Sequence, residues 1–247
     1  PMENAYFHGS SKTDDDIRFA MAHKIGFFVC DNADELDAID AEAGRQGICQ
    51  KILLRLAPGI DPHTYAAVAT GKVDSKFGSA IETGQAEEMT LLALSLANVE
   101  LCGFHSHVGS QIFEETPFTD AADIMLAFMS CMRDRYGFTA TVLNIGGGFP
   151  IKTSLNFDYD YEYMTEEIVS QIKNICHHND VDEPNIFTEF GSFTVGESGA
   201  ALYSIVNQKQ QNDNSKYNTN KNKSCFSESV TEILHEILHI IFGKIHT

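Results

Sequence analysis

Gly103-Phe104-His105-Ser106-His107-Val108-Gly109-Ser110-Gln111 and, further on, Asn144-Ile145-Gly146-Gly147-Gly148-Phe149-Pro150 decide how this chain reads. Each closes an apolar run, Val99 to Phe104 and Thr141 to Ile145, with the character of a strand. Histidines and a hydroxyl follow the first run, and three consecutive glycines follow the second. Polar groups gathered at strand ends are what a parallel α/β barrel presents at its mouth.

Working outward, short apolar runs alternate with helical patterns. Strands are expected at Ala5 to Phe7, Gly26 to Cys30, Lys51 to Leu56 and Asn185 to Thr188. Helices are expected from Ser11-Lys12-Thr13-Asp14-Asp15-Asp16, from Asp31 or Asn32 through Ala43, and over Gln85 to Leu96, Asp120 to Arg135 and Tyr161 to Cys176. Six strand-then-helix or strand-then-loop units result, two short of a closed eight-stranded barrel. The fold class is therefore α/β, a partial TIM (β/α)8 barrel. Residues 1–206 form that barrel domain. Residues 207–226, rich in Asn, Gln, Lys and Ser, read as a polar, disordered linker, and 227–247 as a C-terminal helix.

The 247 residues carry 17 Lys and Arg against 35 Asp and Glu, a net charge of −18, which argues against nucleic-acid binding. No apolar run is long enough for a membrane span, and Pro1-Met2-Glu3-Asn4 has no signal-peptide pattern. The six scattered cysteines read as reduced thiols of a cytoplasmic protein.

Four groups of residues carry possible chemistry. Gly146, Gly147 and Gly148 let backbone N–H groups approach an anion, or form a flexible turn. His105 and His107 are expected on one face by period-two alternation. They read as a metal pair with no third ligand nearby, as an imidazole stacked on a flat ring with Ser110 donating to phosphate, or as two hydrogen-bonded core histidines. Glu189 ends a strand and faces a barrel mouth, or is a rim charge at a helix start. Arg55 ends another strand, and its plain reading is a surface salt bridge. In the tail, His235-Glu236-Ile237-Leu238-His239 matches HExxH, in which His235 and His239 bind zinc and Glu236 acts as base. Its plain reading is an amphipathic helix.

Taken in order, Phe7-His8-Gly9, Leu54-Arg55-Leu56 with Pro58-Gly59, Asp74-Ser75-Lys76-Phe77-Gly78, the His105 to Gln111 stretch, Gly146-Gly147-Gly148 and Glu189-Phe190-Gly191 resemble one family. It is the alanine-racemase-like (fold type III) pyridoxal-phosphate-dependent amino-acid decarboxylases. Residues 1–148 look most like the diaminopimelate branch, and 149–213 like an arginine branch. The resemblance implies pyridoxal 5'-phosphate as cofactor and a small-molecule amino-acid substrate. The substrate would be meso-diaminopimelate, giving lysine and carbon dioxide, or arginine, giving agmatine. It also implies a homodimer.

It further implies that His107 stacks on the pyridine ring and Ser110 helps hold the phosphate. Gly146, Gly147 and Gly148 bind the phosphate, Glu189 pairs with the pyridine nitrogen, and Gly191, Ser192 and Arg55 lie at the cofactor. Three departures stand out. The family's Schiff-base lysine motif, which belongs to its first barrel strand, does not occur, and by the resemblance the first two strands are missing and the chain begins near the third. Its Glu-Pro-Gly-Arg reads Glu189-Phe190-Gly191-Ser192. The C-terminal β-domain gives way to an unrelated tail, so the chain is expected to be an inactive fragment on its own.

Overall fold

The computed structural model of the 247-residue chain describes residues 1–60, 77–151 and 159–195. The Asp74 to Lys76 part of one motif, the 207–226 linker and the HExxH tail with His235, Glu236 and His239 lie outside the described residues.

Seven strands are described: β1 (Tyr6–Phe7), β2 (Phe27–Cys30), β3 (Gln50–Ala57), β4 (Ser79–Ala80), β5 (Val99–His105), β6 (Val142–Asn144) and β7 (Asn185–Phe187). Helices α1 (Asp14–Ala22), α2 (Ala33–Gln46), α3 (Gln85–Ser95), α4 (Thr116–Tyr136), α5 (Tyr161–His178) and α6 (Gly191–Val195) run between and after them. The six expected strands and five expected helices are all present. The sequence reading missed β4, a two-residue strand on β3, and α6.

Local chemistry sets the boundaries. Thr13 caps α1 in a capping box with Asp16, and the Asn32 side chain accepts from Glu35 N to open α2. Helices α2 and α4 end at Gly47 and Gly137, both with positive φ. Helix α4 starts earlier than the apolar spacing suggests, with Pro117 in its first turn. Among the described residues, no helix is long and apolar enough to cross a membrane.

Every strand pairing is parallel, in the order β1-β2-β3-β5-β6-β7. The sheet curls until its two ends face each other. The ring of Tyr6 on β1 lies 5.2 Å from that of Phe187 on β7, although four strands separate them in the sheet. This is a partial (β/α) barrel, as expected. The outer face packs Phe28, Ile52, Leu54, Phe104 and Leu143 against the helices. Each such side chain contributes about 1.5–3 kcal/mol when fully buried. The inner face carries a smaller cluster, Val29, Leu53, Cys102 and Val142, with Tyr6 and Phe27 against it.

One irregularity decides what enters the interior. Along β3 and β5, Ile52 pairs with Leu101 but Leu53 pairs with Gly103, so β5 gains a residue there. Leu101 and Phe104 both reach the outer core, whereas Cys102 lies in the inner cluster. The bulge reverses the alternation, and His105 turns inward instead of under the helices.

Candidate functional site

A layer of polar side chains sits on the inner apolar layer, at the C-terminal ends of the strands. Tyr6, Val29, Leu53 and Val142 point inward, and two residues beyond each come His8, Asp31, Arg55 and Asn144. Phe187, whose ring meets Tyr6, is followed two residues later by Glu189. The β5 bulge adds His105. Arg55, His105 and Asn144 are buried, at 8%, 1% and 2% exposure.

Glu189 is the hub of this layer. Its Oε1 lies 3.1 Å from His8 Nε2 and 3.3 Å from His105 Nε2, and it accepts from Asn144 Nδ2 at 3.0 Å. Burial raises the pKa of this carboxyl, but His8 and His105 outweigh it and hold the group well below the usual carboxylate range. Burial lowers His105 to about 4, against the pull of Glu189, so its ring is neutral at pH 7. Neither ring nitrogen of His105 has a hydrogen-bond partner.

Arg55 is not the surface charge of the plain reading. Its guanidinium lies 4.5 Å from the ring centroid of Phe77, and its Nε is 4.0 Å from Asp31 Oδ1. Burial lowers its pKa, and Asp31 and Glu189 offset that. An arginine stays charged through such a shift. Asp31 in turn accepts from Gly78 N at 2.8 Å.

The glycine loop after β6 runs beside Glu189 and is packed on three sides. A Cβ on Gly146 would stand 2.4 Å from Ser106 O, one on Gly147 2.6 Å from Glu189 O, and one on Gly148 2.2 Å from Gly109 O. Gly146 N donates to Asn144 Oδ1 at 2.8 Å and Gly147 N to His107 Nδ1 at 3.1 Å. The Gly148 N–H has no partner among the described residues. His107 therefore joins the glycine loop, while His105 joins Glu189. Strand β5 ends at His105, so period-two alternation does not reach His107. The expected absence of a third ligand near the histidines is corrected as well: His8 and Glu189 both approach His105.

Ser110 is half-buried in the loop after β5. Gly191 and Ser192 open α6 and are exposed, and no hydrogen bond ties either side of that opening turn to the Glu189 group. Beside the mouth, a cavity of about 650 Å³ is lined by Ser10, Asp31, Asn32, Gly78, Gln85 and Glu88, among others. It offers no basic side chain to an anion and shares only Asp31 with the polar layer.

Residues 1–196 match the model of the pyridoxal-dependent decarboxylase, pyridoxal binding domain, family. The chain belongs to this family. It is 37% identical over 210 residues to the diaminopimelate decarboxylase of Bacillus methanolicus, covering 85% of this chain and 49% of that protein. The Bacillus subtilis enzyme is 35% identical over 212 residues, with 85% and 48% covered. Among solved structures, M. jannaschii diaminopimelate decarboxylase in complex with L-lysine superposes with a TM-score of 0.68 at 26% identity, covering 76% of this chain and 43% of that one. The Helicobacter pylori enzyme, also with L-lysine, gives 0.65 at 26%, with 76% and 45% covered.

The chain thus spans about half the length of the curated relatives it matches. A 210-residue match must run through the stretch assigned above to an arginine branch. The similarity to diaminopimelate decarboxylases thus extends across both segments. The polar layer lies at the C-terminal ends of the strands, the face at which (β/α)-barrel enzymes carry their chemistry.

Proposed function

We propose that the strand-end layer holds pyridoxal 5'-phosphate, and that the protein carrying this barrel decarboxylates meso-diaminopimelate to L-lysine. The observation that carries the reading is Glu189. It is an ionised carboxylate that accepts from Asn144 and lies beside His8 and His105, and its backbone N–H donates to Gly146 O of the glycine loop at 2.9 Å. The residues fit the group. A phosphate needs free N–H and O–H donors, and Gly148 N and the Ser110 hydroxyl have no partner among the described residues.

When bound, pyridoxal phosphate supplies an electron sink for the bond to the departing carboxylate, provided its ring nitrogen is protonated. Glu189 keeps a proton at that nitrogen, because its carboxyl stays ionised. Asn144 fixes the carboxylate's direction. His107 presents its ring beside the glycine loop for stacking, and Arg55 sets a positive charge across the mouth. Gly191 and Ser192 lie on the rim. The family resemblance and the diaminopimelate decarboxylase relatives support the substrate, and the resemblance supports a homodimer.

On this reading the amine that takes the cofactor's aldehyde comes from outside the described lysines. Lys12 Nζ is bound to Glu35 Oε1 at 2.5 Å, Gly9 O at 2.6 Å and Val29 O at 2.8 Å. Lys51 lies over Phe27 at the opposite end of the inner layer. Lys24 follows α1, and Lys173 sits on α5.

The test is carbon dioxide release by the complete gene product, with pyridoxal phosphate and labelled meso-diaminopimelate or L-arginine. We expect kcat/KM at least tenfold higher for diaminopimelate. Release from arginine alone, or from neither, overturns the substrate. Gly147→Leu should weaken cofactor binding at least tenfold, and unchanged affinity overturns the cofactor site.

A further inference from the structure

We propose that His8, His105 and Glu189 also form a binding site for a divalent transition-metal ion of the zinc type. The three donor atoms come from the ends of β1, β5 and β7 and lie within 4.8 Å of one another. Glu189 Oε1 lies 3.1 Å from His8 Nε2 and 3.3 Å from His105 Nε2. A tetrahedral ion with bonds of about 2.0–2.1 Å spaces its ligands about 3.3 Å apart. Both separations from Glu189 match that spacing, and the two histidine donors lie within 4.8 Å of each other.

A second observation points to a ligand. His105 is 1% exposed, and neither of its ring nitrogens has a hydrogen-bond partner. A buried polar side chain in that state is costly, and a bound ion would relieve it. One carboxylate and two imidazoles suit a dication. Asn144 donates to the ligating oxygen and fixes its orientation, the role of an outer-sphere partner.

The donor set selects the ion. Two imidazoles and one carboxylate favour zinc, iron(II) and their neighbours over magnesium or calcium, which prefer oxygen ligands. Three protein ligands leave at least one position open, as in catalytic rather than structural zinc sites. The pairing proposed above for the pyridine nitrogen uses the same carboxylate. Metal and cofactor ring therefore exclude each other at Glu189, and zinc would act as an inhibitor. The ion site itself does not depend on the cofactor reading.

The test uses metal-stripped full-length chain under reducing conditions, with His235→Ala and His239→Ala as background to remove the tail motif. Zinc is titrated against a chromophoric chelator, with no pyridoxal phosphate present. We expect one zinc per chain, bound at least tenfold more weakly after His8→Ala or Glu189→Gln. His8 is partly exposed, so His8→Ala should keep its fold, which circular dichroism checks. Cobalt(II) should give a tetrahedral spectrum without a thiolate band. Unchanged zinc affinity in both variants with native dichroism, no zinc bound by the background chain, or a thiolate band would each overturn the site.

Discussion

At Glu189 one carboxylate oxygen meets three nitrogens, and the charge balance around it depends on His105 staying neutral. Burial lowers this imidazole from 6.5 to about 4, with Glu189 pulling it up and His8 and Arg55 pushing it down. An unfolded chain takes up that proton near pH 6.5, and the folded chain does not. Stability therefore falls as pH drops from 6.5 toward 4, by up to about 3 kcal/mol for a shift of this size. The depressed pKa of Glu189 adds a loss only at lower pH, below the ordinary carboxylate range. Urea unfolding of wild type and His105→Gln at pH 7 and 4.5 should show a smaller acid loss in the variant. Equal losses would mean that His105 is protonated in the fold. Lys12 Nζ, by contrast, has three partners, donating to Glu35 Oε1 at 2.5 Å, Gly9 O at 2.6 Å and Val29 O at 2.8 Å.

The element that aims His105 is the β5 bulge, and its hinge is Gly103. A Cβ there would stand 1.9 Å from Val142 O on the neighbouring strand. That contact is to backbone paired on both sides and cannot yield. Gly103→Ala should destabilise the chain by about 2 kcal/mol or more, read as a lower denaturation midpoint with an unchanged m-value. A midpoint within error of wild type would show that β6 can move away, and the bulge would then not be held by this contact.

The same element marks the limit of what the sequence tells. The strands and helices were legible, because apolar spacing and capping residues are local signals. His8, Arg55, Asn144 and Glu189 were legible in principle, each two residues past an inward apolar side chain. The inward turn of His105 was not, because the extra residue in β5 is defined by its pairing with β3. The glycines were read as an anion cradle or a flexible turn. Their tight packing against Ser106, Gly109 and Glu189 needs three loops that only the fold brings together.

Over the whole molecule, the curled sheet leaves an opening between β1 and β7. Among the described residues, no strand pairs on the far side of either. Phe187 on β7 is 37% exposed and reaches the inner layer through Tyr6. Open parallel edges with accessible apolar interior are sites for strand pairing between chains. The net charge of −18 opposes such pairing by mutual repulsion, which salt screens over about 8 Å at physiological ionic strength. Salt removes the repulsion and leaves the edge and apolar contacts in place, so the isolated chain should associate more strongly as salt rises. Sedimentation velocity across a range of protein concentrations at low and high salt should show this. Phe187→Lys, which places a charge on the edge, should shift the distribution toward monomer with unchanged circular dichroism. A wild-type chain that stays monomeric throughout, or associates less in high salt, would show that the opening between β1 and β7 is closed in solution.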